Sequence, residues 1–244
     1  MHLNQEEPAD WNYKQPEFRK VNKNYPILHA YLKNTFLKLQ DEDKIAFSND
    51  GQQACFNTGL ISWDDKEIFA LFFRERDPGP SRPDWYCKGF FDTYAIELGE
   101  FRANLPALPN YITDPADLVV DFSYDFEFQV GHILGDEENR LRLTEILREN
   151  IHLALSAIQG ATASLRRRIR RNYKLAIPQW YPAERKIQLL LPLCLLSPNK
   201  ADLVLVADKD KKSRVYRVRT LLRMDQAYSN ARLLTRPDRD WLNP

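Results

Sequence analysis

Apolar residues recur along this chain with two periods, and the switches between them mark out its elements. From Pro26 onward, Ile27, Leu28, Tyr31, Leu32, Phe36 and Leu39 fall at helical spacing. The proline stands where a first helical turn tolerates one, so an amphipathic helix is expected. The runs IAFS and QACF then flank Asn49, Asp50 and Gly51, and an Asp-Gly pair between such runs signals a hairpin. Strands continue through EIFALFF and, after the proline-rich DPGPSRP, through DWYCKGFF. Within 120–130, Phe122, Tyr124, Phe126 and Phe128 alternate with Asp121, Ser123, Asp125, Glu127 and Gln129. Strict alternation predicts a strand with one aromatic and one acidic face.

Over 141–172 the apolar residues Leu143, Leu147, Ile151, Ala154, Ile158, Leu165 and Ile169 return every three, four or seven positions. That spacing predicts one long helix of roughly 45 Å. After Pro178 come three strand-like runs, IQLLLPLCL, LVLVAD and RVYRVRTLL, with a turn over 209–213. A short helix over 225–234 leads into TRPDRDWL. Runs of strands with helices at the start, middle and end argue for an α+β fold, a mainly antiparallel sheet with one long central helix and flanking N- and C-terminal helices. Residues 1–24 read as an arm packed by Trp11, Tyr13 and Phe18 onto a single domain over 25–244.

Composition sets outer limits. With 244 residues, 43% of them hydrophobic and 12% aromatic, the chain can bury a sizeable core at the upper end of single-domain length. The N-terminal residues lack the basic-then-apolar pattern of a secretory signal, and the longest apolar run contains Pro192. A soluble, cytoplasmic protein with no membrane partner is therefore expected. Cys55, Cys87 and Cys194 are far apart and form no CxxC pair, which points to reduced, mostly buried thiols and assigns no metal. No cofactor is assigned either.

Charge changes the picture more. Residues 1–40 carry +2, 41–149 carry −13 and 150–244 carry +12, within a chain whose net charge is only +1. Between Ile151 and Ala183 there is no Asp or Glu, yet Arg166, Arg167, Arg168, Arg170, Arg171 and Lys174 stand there. On a helix Arg167, Arg170, Arg171 and Lys174 share overlapping faces while Leu165 and Ile169 keep the core side, which predicts a basic ridge at the helix end. Arginine offers phosphate a fork of donors, and Tyr173, Trp180 and Tyr181 supply rings that either stack on bases or fill the core. The acidic face carrying Asp125 and Glu127 is either an acid/base or metal-holding pair or a solvated sheet surface beside Arg217 and Arg219. The chain contains no GxxxxGK[ST], GxGxxG, GxSxG or HExxH, which argues against kinase, dehydrogenase, α/β-hydrolase and zincin chemistries.

Six ordered blocks carry a resemblance. FNTGL followed by EIFALF, then WYCKGF, GHIL, RRNYKLAIPQWY, IQLLLPLCL and MDQAYSNARLLTRPDRDWL together resemble the bacterial family catalogued as domain of unknown function 3825, from about residue 25 to the end. What the resemblance implies is a domain found alone or beside nucleic-acid-binding modules such as cold-shock domains, hence a role in RNA metabolism. Gly131 stands where a typical member has asparagine before HIL. The polar residues of the matching blocks, Asn57, Thr58, Asn172, Lys174, Gln179, Asn230, Arg232, Arg236 and Asp238, form a candidate nucleotide-recognition set; Asn230 and Arg232 serve equally as helix tethers, and Arg236 with Asp238 as an ion pair.

The expectation is an RNA-binding or RNA-processing protein that grips phosphates through Arg167, Arg170, Arg171 and Lys174, with RNA or a nucleotide as partner. Two alternatives stay open. One is an enzyme acting on a nucleotide or phosphodiester, with His132 as acid/base beside Asp121 or Glu67. The other is a protein-interaction domain whose oppositely charged stretches drive self-association.

Overall fold

The computed structural model describes Leu3, Trp11, Asn12 and residues 24–76, 83–197 and 200–234. Tyr13 and Phe18 of the expected arm, and Arg236 and Asp238 of the candidate set, lie outside the described residues. The stretch read as one domain, 25–244, holds two compact units, divided after Asn110, and each unit has its own sheet.

In the first unit, helix α1 (Pro26–Asp41) begins at Tyr25, whose φ of 53° turns the chain sharply into the helix. Two bonds from the arm fix that entry. The Tyr25 amide donates to Asn12 Oδ1 at 2.6 Å, and the Ile27 amide donates to the Trp11 carbonyl at 3.1 Å. Pro26 has no amide hydrogen to satisfy, which is why it fits between them. Trp11 itself is buried and meets the Tyr31 ring at 5.9 Å. Strands β1 (Ala46–Phe47), β2 (Gln53–Ile61), β3 (Glu67–Arg74) and β4 (Trp85–Asp92) follow in a meander in which each neighbouring pair is antiparallel. The hairpin at Asp50-Gly51 forms as its sequence predicts. Gly51 takes a φ of 67°, and Asp50 accepts from the Ser48 hydroxyl and the Gln52 amide at 2.6 and 3.0 Å. Leu39 of α1 packs with Phe56 and Ala70 on one side of this sheet. Leu98 and Phe101, from a 3-10 turn over Ile96–Phe101, pack with Cys55, Phe69 and Leu71 on the other. Of the three cysteines only Cys55 is buried, and burial pushes its thiol up to about 12; Cys87 is exposed and Cys194 half-buried. The expectation of mostly buried thiols is corrected accordingly.

In the second unit, β5 (Asp125–Phe128), helices α2 (Val130–Gly135), α3 (Glu137–Leu141), α4 (Glu145–Glu149) and α5 (Ile151–Arg171), β6 (Ile177–Tyr181), β7 (Lys186–Leu193), β8 (Leu203–Asp210), β9 (Val215–Leu222) and α6 (Met224–Ala231) occur in that order. The sheet runs β5-β9-β8-β7-β6, antiparallel except for the parallel pair β5 and β9. Pro192 is tolerated inside β7 because β6 begins at Ile177, opposite Leu190. By position 192 the strand has a ladder partner only in β8, where Pro192 faces Val204.

Two sequence expectations change here. The long helix over 141–172 is interrupted at Asn150, whose backbone turns extended and whose side chain accepts from the Leu153 amide at 3.0 Å. Asn150 closes α4 and opens α5, so the continuous part is 21 residues, about 31 Å. The strand over 120–130 shrinks to Asp125–Phe128. Asp121 Oδ1 accepts from the Ser123 amide and hydroxyl at 2.9 and 2.7 Å, folding 121–124 into a turn, and this local side-chain bonding outcompetes the ladder. The core of the unit lies between α5, through Ala154, Ile158, Leu165 and Ile169, and the sheet, through Leu189, Leu191, Leu205, Ala207, Val218 and Leu221. Among the described residues no helix is long and apolar enough to cross a membrane.

Candidate nucleic-acid interface

The last two turns of α5 sort their side chains by helical angle. Leu165 and Ile169 are buried in the core. Arg166, one position on, donates to the Phe126 carbonyl of β5 and lies over the Phe128 ring at 5.2 Å, a stacking that a planar guanidinium favours. Arg168 turns toward Cys194 and donates to its Sγ at 3.5 Å. The other cations point away. Arg167, Arg170, Arg171 and Lys174 are exposed, and among the described residues none of their side chains has a hydrogen-bond or ion-pair partner. Arg167, Arg170 and Arg171 lie on the helix at the predicted spacing, whereas Lys174, expected on the same helix, lies beyond its end in the 3-10 turn Tyr173–Leu175.

Asn172 and Tyr173 complete this end of the helix. Asn172 closes α5 with an extended backbone and accepts from the Lys174 amide at 3.1 Å, which starts the 3-10 turn Tyr173–Leu175. Tyr173 is left 52% exposed, so an open aromatic ring lies next to Lys174 and two positions past Arg171 in the chain. The helix C-terminus carries about half a negative charge, which accommodates the last-turn arginines but falls well short of neutralising four cations.

The rest of the recognition set has other partners. Gln179 is 1% exposed; it donates to Gln188 Oε1 at 3.0 Å and accepts from Asn230 Nδ2 at 3.0 Å. This chain of amides ties β6, β7 and α6 together. Arg232 is buried beyond the end of α6. Trp180 is buried against the edge of Tyr111 at 5.3 Å, and Tyr181 is half-buried, so of the three candidate stacking rings only Tyr173 is open. Asn57 and Thr58 belong to the first unit, at an irregularity of β2. Asn57 donates to Glu67 Oε1 at 3.1 Å and accepts from the Gly59 amide at 3.0 Å, while Thr58 donates to the Ile68 carbonyl at 2.6 Å. Both are at most 1% exposed. Gln179, Asn57 and Thr58 thus brace scaffold rather than line an open surface, because each finds its hydrogen-bond partner inside.

Of the candidate catalytic residues, His132 lies in α2 and is exposed. Asp121 is engaged by Ser123, whose hydroxyl and amide hold its carboxyl below the usual range. Glu67 is taken by Asn57 in the first unit. Among the described residues no hydrogen bond or ion pair joins His132 to Asp121, and no group of three or more His, Cys, Asp or Glu side chains could hold a metal. Of the two arginines considered for the acidic strand's neighbours, Arg217 lies opposite Glu127 but pairs with Asp210 at 2.8 Å, and Arg219 falls past the paired register of β5 and β9. Sequence reasoning passed over the lysines of the 209–214 turn, which KDKKSR announces as a second basic cluster.

No curated protein and no solved structure matches this chain. One family model does, over residues 2–241, essentially the whole sequence, so the chain belongs to the family described as domain of unknown function (DUF3825).

Proposed function

We propose that this protein binds RNA, gripping backbone phosphates with Arg167, Arg170, Arg171 and Lys174 and stacking a base on Tyr173. One observation carries the reading: four cations are concentrated at one helix end, exposed and without partners among the described residues. Holding like charges together without counter-charges is unfavourable, and an anionic partner relieves it. Guanidinium groups suit phosphate oxygens through paired donors, and an adjacent exposed ring is the usual platform for an unpaired base.

The test is fluorescence anisotropy of labelled single-stranded RNA across a salt series. Four phosphate contacts give a slope of log K against log salt of roughly −3. The combined variant Arg167→Ala, Arg170→Ala, Arg171→Ala, with its fold checked by circular dichroism, should flatten that slope to about −1. Absence of binding by the wild-type chain, or an unchanged slope in the folded variant, would overturn the reading.

A further inference from the structure

A second basic site stands away from α5. In β8 and β9, Ala207 faces Val218 on the core side, so the next pair, Asp208 and Arg217, faces the opposite side of the sheet. There a cleft of about 660 Å³ opens, a size that suits a small ligand. Arg185, Lys186, Lys209, Lys211, Lys212, Arg217 and Arg219 line it with three carboxylates, Asp117, Asp208 and Asp210. Two more stand beside it, Glu184 at 2.5 Å from Lys186 and Asp114 at 3.6 Å from Lys211, which leaves the cations in excess. The three lining carboxylates are already committed. Asp208 holds Lys186 at 2.6 Å, and Asp210 holds Arg217 at 2.8 Å. Asp117 is shared by Lys209 at 3.1 Å and Lys211 at 3.5 Å. Lys212 and Arg219 are exposed; the Lys212 amide donates to Asp210 Oδ1 at 2.9 Å, but among the described residues neither the Lys212 ammonium nor the Arg219 guanidinium has a carboxylate partner.

We infer that this cleft takes the diphosphate or triphosphate group of a nucleotide. A concave wall with unmatched positive charge focuses the field on an incoming anion. Several ammonium and guanidinium groups converging on one space match a compact, multiply charged group better than a single carboxylate. The carboxylates already present hold Lys186, Lys209 and Arg217 in place, so little side-chain freedom is lost when a ligand arrives. The same group occurs on a free nucleotide and at the 5′ end of an RNA. The site stands apart from the α5 ridge and does not rest on the RNA reading.

Isothermal titration calorimetry of the full chain tests it, with inorganic triphosphate, ATP and adenosine as probes. Inorganic triphosphate and ATP should bind and adenosine should not. The double variant Lys212→Ala, Arg219→Ala changes only exposed side chains and should fold; it should weaken triphosphate binding about tenfold or more. The α5 triple variant should change it less than about twofold, since distant sites act independently. Two short RNAs separate the sources. If a 5′-triphosphate RNA binds more tightly than its 5′-hydroxyl twin, and the double variant removes the difference, the occupant is an RNA end; equal binding of the two, with ATP binding retained, makes it a free nucleotide. No heat from inorganic triphosphate at about 1 mM, a threshold only weak sites fail, or equal losses in both variants, would overturn the inference. Neither result alters the salt-slope test of the α5 ridge.

Discussion

The shared exposed face of Arg167, Arg170 and Arg171 was legible from sequence because a helix brings together residues three or four apart, and no acid lies within that reach; the place of Lys174 was not, because Asn172 ends the helix before it. The fates of Asn57, Thr58 and Gln179 were not legible. A polar residue between apolar neighbours reads the same whether it meets a ligand or a buried amide, and only the fold supplies Glu67, Ile68 and Gln188 as partners. Glu42 is another such case. Burial would raise its carboxyl, but Lys44, the Asn110 amide and Lys38 bring it down to about 2, with Lys44 at 2.8 Å and Lys38 at 3.0 Å. A carboxyl depressed in the folded state stabilises above its ordinary value of 4.5 and loses that contribution as pH falls toward about 2. Glu42→Gln should therefore lower stability at neutral pH and flatten the fall of the unfolding midpoint between those values, measured by denaturant titration at stepped pH. A parallel acid limb in wild type and variant would remove Glu42 from the account.

Element types were largely readable, and element lengths were not. The hairpin at Asp50-Gly51, α1, β7, β8, β9 and α6 all follow from periodicity and turn chemistry. The two misjudged stretches share a cause. Asn150 and Asp121 use their side chains on nearby amides, and that local bonding ends a helix or a strand which the apolar period alone would continue. Asn150 serves two helices at once, so Asn150→Ala should destabilise the protein by about 0.5–2 kcal/mol. Urea unfolding followed by circular dichroism measures it; an unchanged midpoint would mean that the bond to Leu153 contributes nothing.

At the scale of the whole molecule, the α+β class and the mainly antiparallel sheets were visible in the alternation of strand runs and helical runs. The division into two units was not, because which strands join which sheet depends on contacts that no local pattern reports. Charge behaves differently, since it can be summed without a fold. The sequence pI is about 7.7, although 41–149 and 150–244 carry −13 and +12. Near that pH the net repulsion between copies vanishes while the oppositely charged stretches persist. Light scattering should therefore show association that peaks near pH 7.7 and is relieved by added salt. Association strengthened by salt would point to apolar contacts instead.

The interruption at Asn150 also sets an angular phase. From Ile151 to Arg171 the helix is an unbroken screw, and each residue advances it by about 100°. One residue inserted midway would leave the count of charges unchanged and rotate every later side chain by that angle. Leu165 and Ile169 would swing toward solvent, and the arginines would be driven toward the core. The ridge is therefore a property of where counting begins as much as of which residues are counted.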